Sequence, residues 1–189
     1  MVKTQALISH AQQLEIVVRR NRAMCFSARS SLRAFLLVKT MTDKSRTAVF
    51  IGNRDYYKID KKMIENAIIN AIDSGIDTFL NGGQGFFDKT CALILHGLKP
   101  RYPHIRSILV IPYRDFWIFN KDVFDEIIYP FEERIEPLLT YKTAIPLRNR
   151  VLVESAGLAI CYVKRVGGGS WKTLQLAKQQ GLRIIDLTA

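Results

Sequence analysis

The sequence predicts a three-layer α/β fold in which a mostly parallel sheet is flanked by helices. Along residues 47–189, short apolar runs alternate with segments whose apolar side chains repeat every three or four positions. These two patterns are typical of buried strands and amphipathic helices. Strands that alternate with helices are joined by right-handed crossovers, so neighbouring strands are expected to run parallel.

Five strands are predicted from short apolar runs bounded by turn-forming residues. They cover residues 47–52, 77–81, 107–111, 158–163 and 183–187. The first strand ends in Gly52, and Pro112 stops the third. The run over 158–163 is apolar at nearly every position, which is typical of a strand buried on both faces of a parallel sheet.

The first two predicted helices have clear ends. Asp60 is placed to cap the first helix, whose apolar face repeats at three-and-four spacing and ends at Gly75. The second helix covers residues 86–98, because Pro100 prevents it from continuing.

After the third strand the pattern is less regular. Residues 113–131 are aromatic and predict a loop that becomes helical from about residue 121 to the residues before Pro130. A further helix is predicted over 132–139, and another begins near Leu147, after Pro146. The last helix follows the glycines at 167–169 and precedes the final strand.

Charge divides the chain into a basic head, residues 1–46, and a body, residues 47–189. The chain has 28 Lys and Arg against 17 Asp and Glu, a formal net charge of +11; the head holds nine basic and two acidic residues. We expect the body to be one domain and the head to be a poorly ordered extension or an overcalled start, since Met24 and Met41 are alternative starts. An organellar transit peptide and a nucleic-acid-binding segment remain alternatives for the head.

Cysteine and histidine positions exclude common metal and disulfide frameworks. The three cysteines share no C-x-x-C spacing, and the three histidines form no H-E-x-x-H pattern, so no metal site is predicted. Reduced cysteines are typical of the cytosol, and we expect a cytoplasmic protein. Because no apolar run reaches the roughly 20 residues that span a bilayer, we expect no membrane association.

Three predicted strand exits carry residues suited to binding an anion. Glycines at strand-to-helix turns let backbone N–H groups approach a phosphate, and the helix N-terminus adds partial positive charge. Nearby arginines bind phosphate through two-pronged contacts. The candidate ligand-binding residues are Gly52, Asn53, Arg54, Gly82, Gly83, Gly85, Asp88, Arg148, Arg150, Gly168, Gly169, Ser170 and Thr173.

Alternative roles remain open for several of these residues. Each glycine also permits a tight turn without any ligand, and Ser170 is equally suited to a helix cap. Arg148 and Arg150 alternate on one predicted helix, so only one of them is expected to face the ligand. The aromatic residues 113–119 suit a core or a homodimer interface, or a surface on which a base stacks.

Two familiar nucleotide-binding motifs do not fit this sequence. A dinucleotide fingerprint would need glycine where Asp88 stands. A Walker-type loop ending in Lys172 and Thr173 would need glycine in place of Val166 and Trp171. These departures argue against an NAD-binding enzyme and against an ATPase.

The order of the glycine-bearing segments resembles the SLOG superfamily, specifically its small bacterial proteins of unknown function. That superfamily is Rossmann-like and includes the DNA-processing A protein and the LONELY GUY phosphoribohydrolases. The resemblance spans residues 47–187. The segments that carry it are FIGNR at 50–54, NGGQGFFDKTCA at 81–92, ILVIPY at 108–113, RNRVLVESAGLAICYV at 148–163 and GGGSWKTLQLA at 167–177.

The resemblance implies a Rossmann-like fold and a nucleotide or nucleotide-derived ligand at the carboxyl edge of the sheet. Related proteins commonly have histidine where Asn53 stands, so a role that needs an imidazole does not transfer. The LONELY GUY signature P-G-G-x-G-T-x-x-E includes a catalytic Glu that is missing after Thr173. Their hydrolysis of the N-glycosidic bond is therefore not carried over.

Three hypotheses follow from the sequence. The first is a cytoplasmic protein that binds a phosphorylated nucleotide-type ligand as a sensor or regulatory module, because the glycines and arginines lack a complete catalytic set. The second is an enzyme that cleaves a nucleotide at its N-glycosidic bond, with Asp88 or Glu154 as the acid. The third is a single-stranded DNA-binding protein, in which the basic head makes salt-dependent contacts.

Overall fold

The computed structural model describes residues 42–55, 59–118, 120–130 and 141–188, and these form the predicted three-layer α/β fold. Six strands make one all-parallel sheet: β1 (Thr47–Gly52), β2 (Thr78–Asn81), β3 (Arg106–Val110), β4 (Glu126–Ile128), β5 (Leu158–Tyr162) and β6 (Arg183–Asp186). The helices of these ranges are α1 (Lys61–Asp73), α2 (Phe86–Leu98), α3 (Tyr141–Glu154) and α4 (Gly169–Gln179). Predictions for residues 1–41 and for a helix over 132–139 lie outside the described residues.

The strand order β4-β3-β2-β1-β5-β6 places a topological switch point between β1 and β5. The chain builds the sheet outward from β1 to β4 and then returns to the other side of β1. Gly52 pairs in register with Tyr162 at the carboxyl ends of these two strands. In open parallel sheets, ligands bind in the crevice beyond the carboxyl ends at such a point.

Two apolar layers enclose the sheet, because successive strand residues point to opposite faces. Phe50 and Phe79 stack with ring centroids 5.9 Å apart on the face that α1 and α2 cover. Val49 and Leu80 point to the other face, which α3 and α4 cover. These four residues are at most 3% exposed, so β1 and β2 are buried on both faces. The strand exits that form the site are therefore rigidly placed.

The predicted boundaries of the early elements are confirmed. Asp60 caps α1 by accepting a hydrogen bond from the Lys62 N–H at 2.9 Å. The second helix covers residues 86–98 as predicted. Observed strand ends differ from the predicted ends by one residue at most.

Two predictions after β3 are wrong. Residues 121–129 form a short 3₁₀ turn (Lys121–Val123) and the edge strand β4, instead of a helix. Asp125 joins this segment to β3, since its carboxylate accepts from the Ser107 N–H at 2.6 Å. Helix α3 begins at Tyr141, six residues before Leu147, and contains Pro146. The proline ring lacks an N–H, so one backbone hydrogen bond of this helix is lost without ending it.

Candidate functional site

The carboxyl ends of β1, β2 and β5 meet around a cavity of about 310 Å³, which we call the switch-point cavity. This volume is within the range of small-molecule sites. Ten of the residues predicted from the sequence line it: Gly52, Asn53, Arg54, Gly82, Asp88, Arg148, Gly168, Gly169, Ser170 and Thr173. Gly83 and Gly85 line a neighbouring cavity instead, and Arg150 is not among the described lining residues of either.

The loop after β2 uses its own backbone donors. The Asn81 Oδ1 accepts from the Gly83 N–H at 2.7 Å, and Asp88 Oδ2 accepts from the Gln84 N–H at 2.8 Å. The Asn81 side chain also donates to the Asp88 carbonyl at 2.8 Å. In this structure the Gly83 and Gln84 N–H groups are therefore engaged by side chains of the protein itself. Asn81 was missed in the sequence, although Asn before Gly-Gly is typical of a side chain that closes a turn.

Most glycines of the β1 and β2 exits are required by the packing of the chain itself. A Cβ on Gly52 would lie 2.2 Å from the Phe87 ring, and one on Gly82 would lie 2.1 Å from Arg148 Nη1. Gly85 has φ +98° and lies against the Arg54 backbone, and Gly83 has φ +67°. These residues shape the site, and a ligand is not needed to explain them.

The glycines at the start of α4 have no such explanation. A Cβ at Gly168 or Gly169 would meet nothing within 4 Å, and neither residue has a positive φ. Gly168 is the N-cap residue and provides no capping side chain. The first-turn N–H groups of a helix have no acceptor within it, so they are suited to an anion. Open space, small residues and donors therefore coincide at this end of α4.

Three polar side chains that line the cavity form hydrogen bonds within the protein. Ser170 Oγ donates to the Gly52 carbonyl at 2.5 Å, which joins α4 to the end of β1. Asn53 Oδ1 accepts from the N–H groups of Lys164 at 2.7 Å and Arg165 at 3.2 Å. Thr173 Oγ1 donates to the Gly169 carbonyl at 2.9 Å. Asn53, Ser170 and Thr173 thus position the walls of the cavity.

The two arginines of α3 face opposite ways, as the helical spacing predicts. Arg148 is 2% exposed and lines the cavity, where its Nη1 donates to the Val110 carbonyl at 3.2 Å. Arg150 points to solvent and pairs with Glu154 at 3.3 Å. Glu154, a candidate acid, therefore pairs with Arg150 and is not among the residues that line the cavity. Arg54 supplies a second cation at the cavity, and its Nη2 donates to Gln84 Oε1 at 3.2 Å.

Asp88 is a buried carboxyl group beside these cations. Burial raises its pKa from 3.8 to about 6, while the Gln84 N–H, Arg148 and Arg54 lower the pKa and so limit the rise. A carboxylate at this position also carries negative charge into a site lined by Arg54, Arg148 and Arg165. The side chain is therefore ionised at neutral pH and protonated in mild acid.

We expect Asp88 to make unfolding depend on pH. The native carboxyl keeps its proton up to about pH 6, whereas the unfolded one ionises near 3.8. The native state therefore binds more protons between these values, and stability falls as pH rises through them. Asp88→Asn keeps the oxygen acceptor but cannot ionise. Its free energy of unfolding should therefore rise relative to that of the wild type by on the order of 3 kcal/mol when the pH is raised from 4 to 7.5. Urea unfolding of both proteins at the two pH values measures this, and parallel pH profiles would contradict it.

The aromatic series after β3 separates into core and surface. Tyr113 and Phe116 are each 8% exposed and form an edge-to-face pair with centroids 5.8 Å apart. Trp117 is 81% exposed and lines the cavity beside Gly83 and Gly85. Phe119 lies outside the described residues. Tyr113 and Phe116 are therefore core residues, whereas Trp117 is a surface residue.

Residues 42–55, 59–118, 120–130 and 141–188 were searched for metal-binding groups and for membrane-spanning helices. None of their His, Cys, Asp and Glu side chains form a group of three or more that could hold a metal ion. Within the same ranges, no helix is both long enough and apolar enough to cross a bilayer. Cys91 and Cys161 are buried in the two apolar layers, where burial raises the pKa of each thiol.

Comparison with curated proteins gives weak sequence similarity. The chain is 29% identical over 68 residues to a UPF0398 protein of Lacticaseibacillus casei (strain BL23) and to one of Lacticaseibacillus paracasei (strain ATCC 334). The match covers 36% of this chain and 36% of the length of each relative. No protein-family model matches the chain.

Two solved structures of DNA processing proteins share the fold of this chain. DNA processing protein A (DprA) from Streptococcus pneumoniae superimposes with a TM-score of 0.57 at 18% identity, over 76% of this chain and 50% of that one. DNA processing protein A from Helicobacter pylori, whose structure is described in terms of its single-stranded DNA binding mode, superimposes with a TM-score of 0.55 at 16% identity. The superposition covers 76% of this chain and 66% of that one. The chain thus spans about half to two thirds of these proteins. The weak homology to UPF0398 proteins and the DprA-like fold are both consistent with the SLOG resemblance.

Proposed function

We propose that the switch-point cavity binds a phosphorylated nucleotide-type ligand and that the protein acts as a sensor or regulatory module. The observation that carries this proposal is the start of α4, where neither packing nor backbone conformation accounts for Gly168 and Gly169. A ligand that approaches the backbone closely would account for both.

Charge supports a phosphoryl group as the part of the ligand that enters the cavity. Arg54, Arg148 and Arg165 contribute three cations, of which Arg165 pairs with Asp55 at 3.8 Å, and the N-terminus of α4 adds partial positive charge. Asp88 offsets part of this charge when it is ionised. A ligand with one or two phosphoryl groups suits this balance better than a neutral nucleoside.

Calorimetry with AMP, ADP, cyclic AMP and ADP-ribose tests the proposal, with adenosine as the unphosphorylated control. We expect phosphorylated compounds to bind and Gly168→Val to weaken binding by about tenfold or more, because the added side chain fills open cavity space. Arg54→Ala should also weaken binding. Lys172→Ala, which removes an exposed cation of α4 outside the cavity, is the matched control and should bind as the wild type does. No binding across the panel would contradict the proposal.

The same samples address the enzyme alternative. Asp88 is the candidate acid that lines the cavity, and its pKa of about 6 suits proton transfer near neutral pH. Chromatography of incubated nucleotides would reveal free base if the N-glycosidic bond is cleaved. Activity lost in Asp88→Asn would favour the hydrolase, and no free base at high protein concentration would remove it.

Single-stranded DNA is the second candidate ligand, and the DprA-like fold together with the net charge of +11 favours it. Fluorescence anisotropy of a labelled oligothymidylate at several salt concentrations tests it on the full chain. A head-mediated interaction should weaken steeply with salt and with replacement of Arg19, Arg20 and Arg22 by glutamine. Weakening by Arg54→Ala alone would instead place the DNA in the cavity.

A further inference from the structure

We propose that the neighbouring cavity is a base-binding subsite, in which Trp117 stacks on the base of a nucleotide whose phosphoryl group lies in the switch-point cavity. This inference rests on the proposed function and adds the ligand's second point of attachment. The neighbouring cavity, which we call the tryptophan cavity, has a volume of about 400 Å³. That volume is sufficient for a purine or pyrimidine base.

The two cavities adjoin at one short segment. Arg54 and Asp55 line both of them. The loop after β2 also divides between them: Gly82 and Gln84 line the switch-point cavity, whereas Gly83 and Gly85 line the tryptophan cavity. The β1 and β2 exits therefore form a wall shared by both spaces. A ligand held by α4 on one side can extend over Arg54 to the other.

The lining of the tryptophan cavity suits an aromatic ring attached to an anionic group. Trp117 leaves 81% of its surface exposed, and Phe86, Ala92 and Phe124 add apolar surface. Stacking of a base on an exposed aromatic side chain contributes about 1–3 kcal/mol and tolerates any base. Lys89 and Arg54 place positive charge where the sugar and phosphate would pass.

Asn120 provides a second, independent observation at this cavity. Among the described residues it is the one non-glycine with a positive φ, at +47°. Such backbone conformations cluster at functional sites, although asparagine tolerates them better than most residues. Asn120 lines the cavity, and its side-chain amide has both a donor and an acceptor, as recognition of a base edge requires.

A second copy of this chain is the alternative occupant, because Leu93 is also 45% exposed beside Trp117. A base is favoured for two reasons. The surface is concave, and it is lined by the charged side chains of Arg54, Asp55 and Lys89, which an apolar interface would bury. Burial of charged side chains in an apolar interface is unfavourable.

The experiment uses the full chain and four nucleotides, AMP, GMP, UMP and CMP, with ribose 5-phosphate as the matched ligand without a base. At least one nucleotide should bind about tenfold or more tightly than ribose 5-phosphate. Trp117→Ala should remove that advantage and leave the affinity for ribose 5-phosphate unchanged, while Trp117→Phe should keep part of it. In Trp171→Phe, where Trp117 is the remaining tryptophan, nucleotides should quench its fluorescence and ribose 5-phosphate should not.

The outcomes separate this inference from the proposed function. If Trp117→Ala binds nucleotides as the wild type does while Gly168→Val weakens both classes of ligand, the base subsite is overturned and the phosphoryl site stands. If neither ribose 5-phosphate nor any nucleotide binds, both are overturned. Gel filtration of Trp117→Ala completes the test: a change from dimer to monomer with unchanged nucleotide affinity would assign Trp117 to an interface and overturn the subsite.

Discussion

Arg148→Met is expected to lower the free energy of unfolding by about 3–5 kcal/mol, the range measured when one partner of a buried charge pair is removed. Arg148 is 2% exposed and helps to keep the Asp88 carboxylate ionised. Without this cation, the buried Asp88 carboxylate would lose part of the favourable charge around it, so it would stay ionised at a greater cost or take up a proton. Urea unfolding at pH 7.5 measures the loss.

Two further variants test whether the loss in Arg148→Met comes from the charge of Arg148 or from its packing. Arg150→Met, on the same helix, removes an exposed cation paired with Glu154 and should cost less than about 1 kcal/mol. Asp88→Asn should recover part of the Arg148→Met loss, because it removes the buried charge that Arg148 helps to stabilise. Equal costs for the two arginines, or no recovery in the double variant, would show that Arg148 stabilises the fold by packing alone.

Gly52→Ala is expected to destabilise the fold by about 3 kcal/mol or more. The added Cβ would lie 2.2–2.6 Å from three atoms of Phe87, far inside van der Waals contact. Phe87 is 1% exposed and lies between Phe50 and Tyr162, so it has no open space to move into. Overpacking of a rigid core carries costs of this order. Thermal or urea unfolding provides the measurement.

Gly97→Ala and Gly168→Ala are the matched controls for this prediction. Gly97 lies in α2, where a Cβ meets nothing within 4 Å, and alanine there should stabilise the protein by up to about 1 kcal/mol. Gly168 is equally open, so Gly168→Ala should leave stability within about 1 kcal/mol of the wild type. A wild-type-like Gly52→Ala would show that α2 shifts to accept the methyl group.

The parts of the fold that were predictable are those that local chemistry specifies. Helix α2 has its predicted bounds because Gly85 precedes it and Pro100 follows it. The edge strand β4 was missed because three residues, Glu126–Ile128, are too few to show an alternating pattern, and pairing with β3 decides their conformation. The early start of α3 was missed because a proline inside a helix is uncommon.

The candidate site was predictable in position but not in every contact. Parallel strands place their carboxyl ends at one edge, so glycine-bearing exits distant in sequence could be expected to meet. Helical spacing also predicted that one of Arg148 and Arg150 faces inward, although the packing against Gly82 decides which. The hydrogen bond from the Gln84 N–H to Asp88 depends on how the loop closes on α2, which spacing alone does not determine. The exposure of Trp117 beside the buried Tyr113 likewise depends on distant neighbours.

The two hydrogen bonds that Asn53 accepts have a consequence for the thermodynamics of recognition. They attach the segment after β5 to β1 as far as Arg165, and α4 begins at Gly169. Only residues 166–168 separate these two anchored points. Ordering a backbone residue costs about 1–2 kcal/mol, so a guest that reaches α4 has few residues left to immobilise. The pocket is in this sense preorganised, and affinity should be lost chiefly through faster dissociation when that tether is cut.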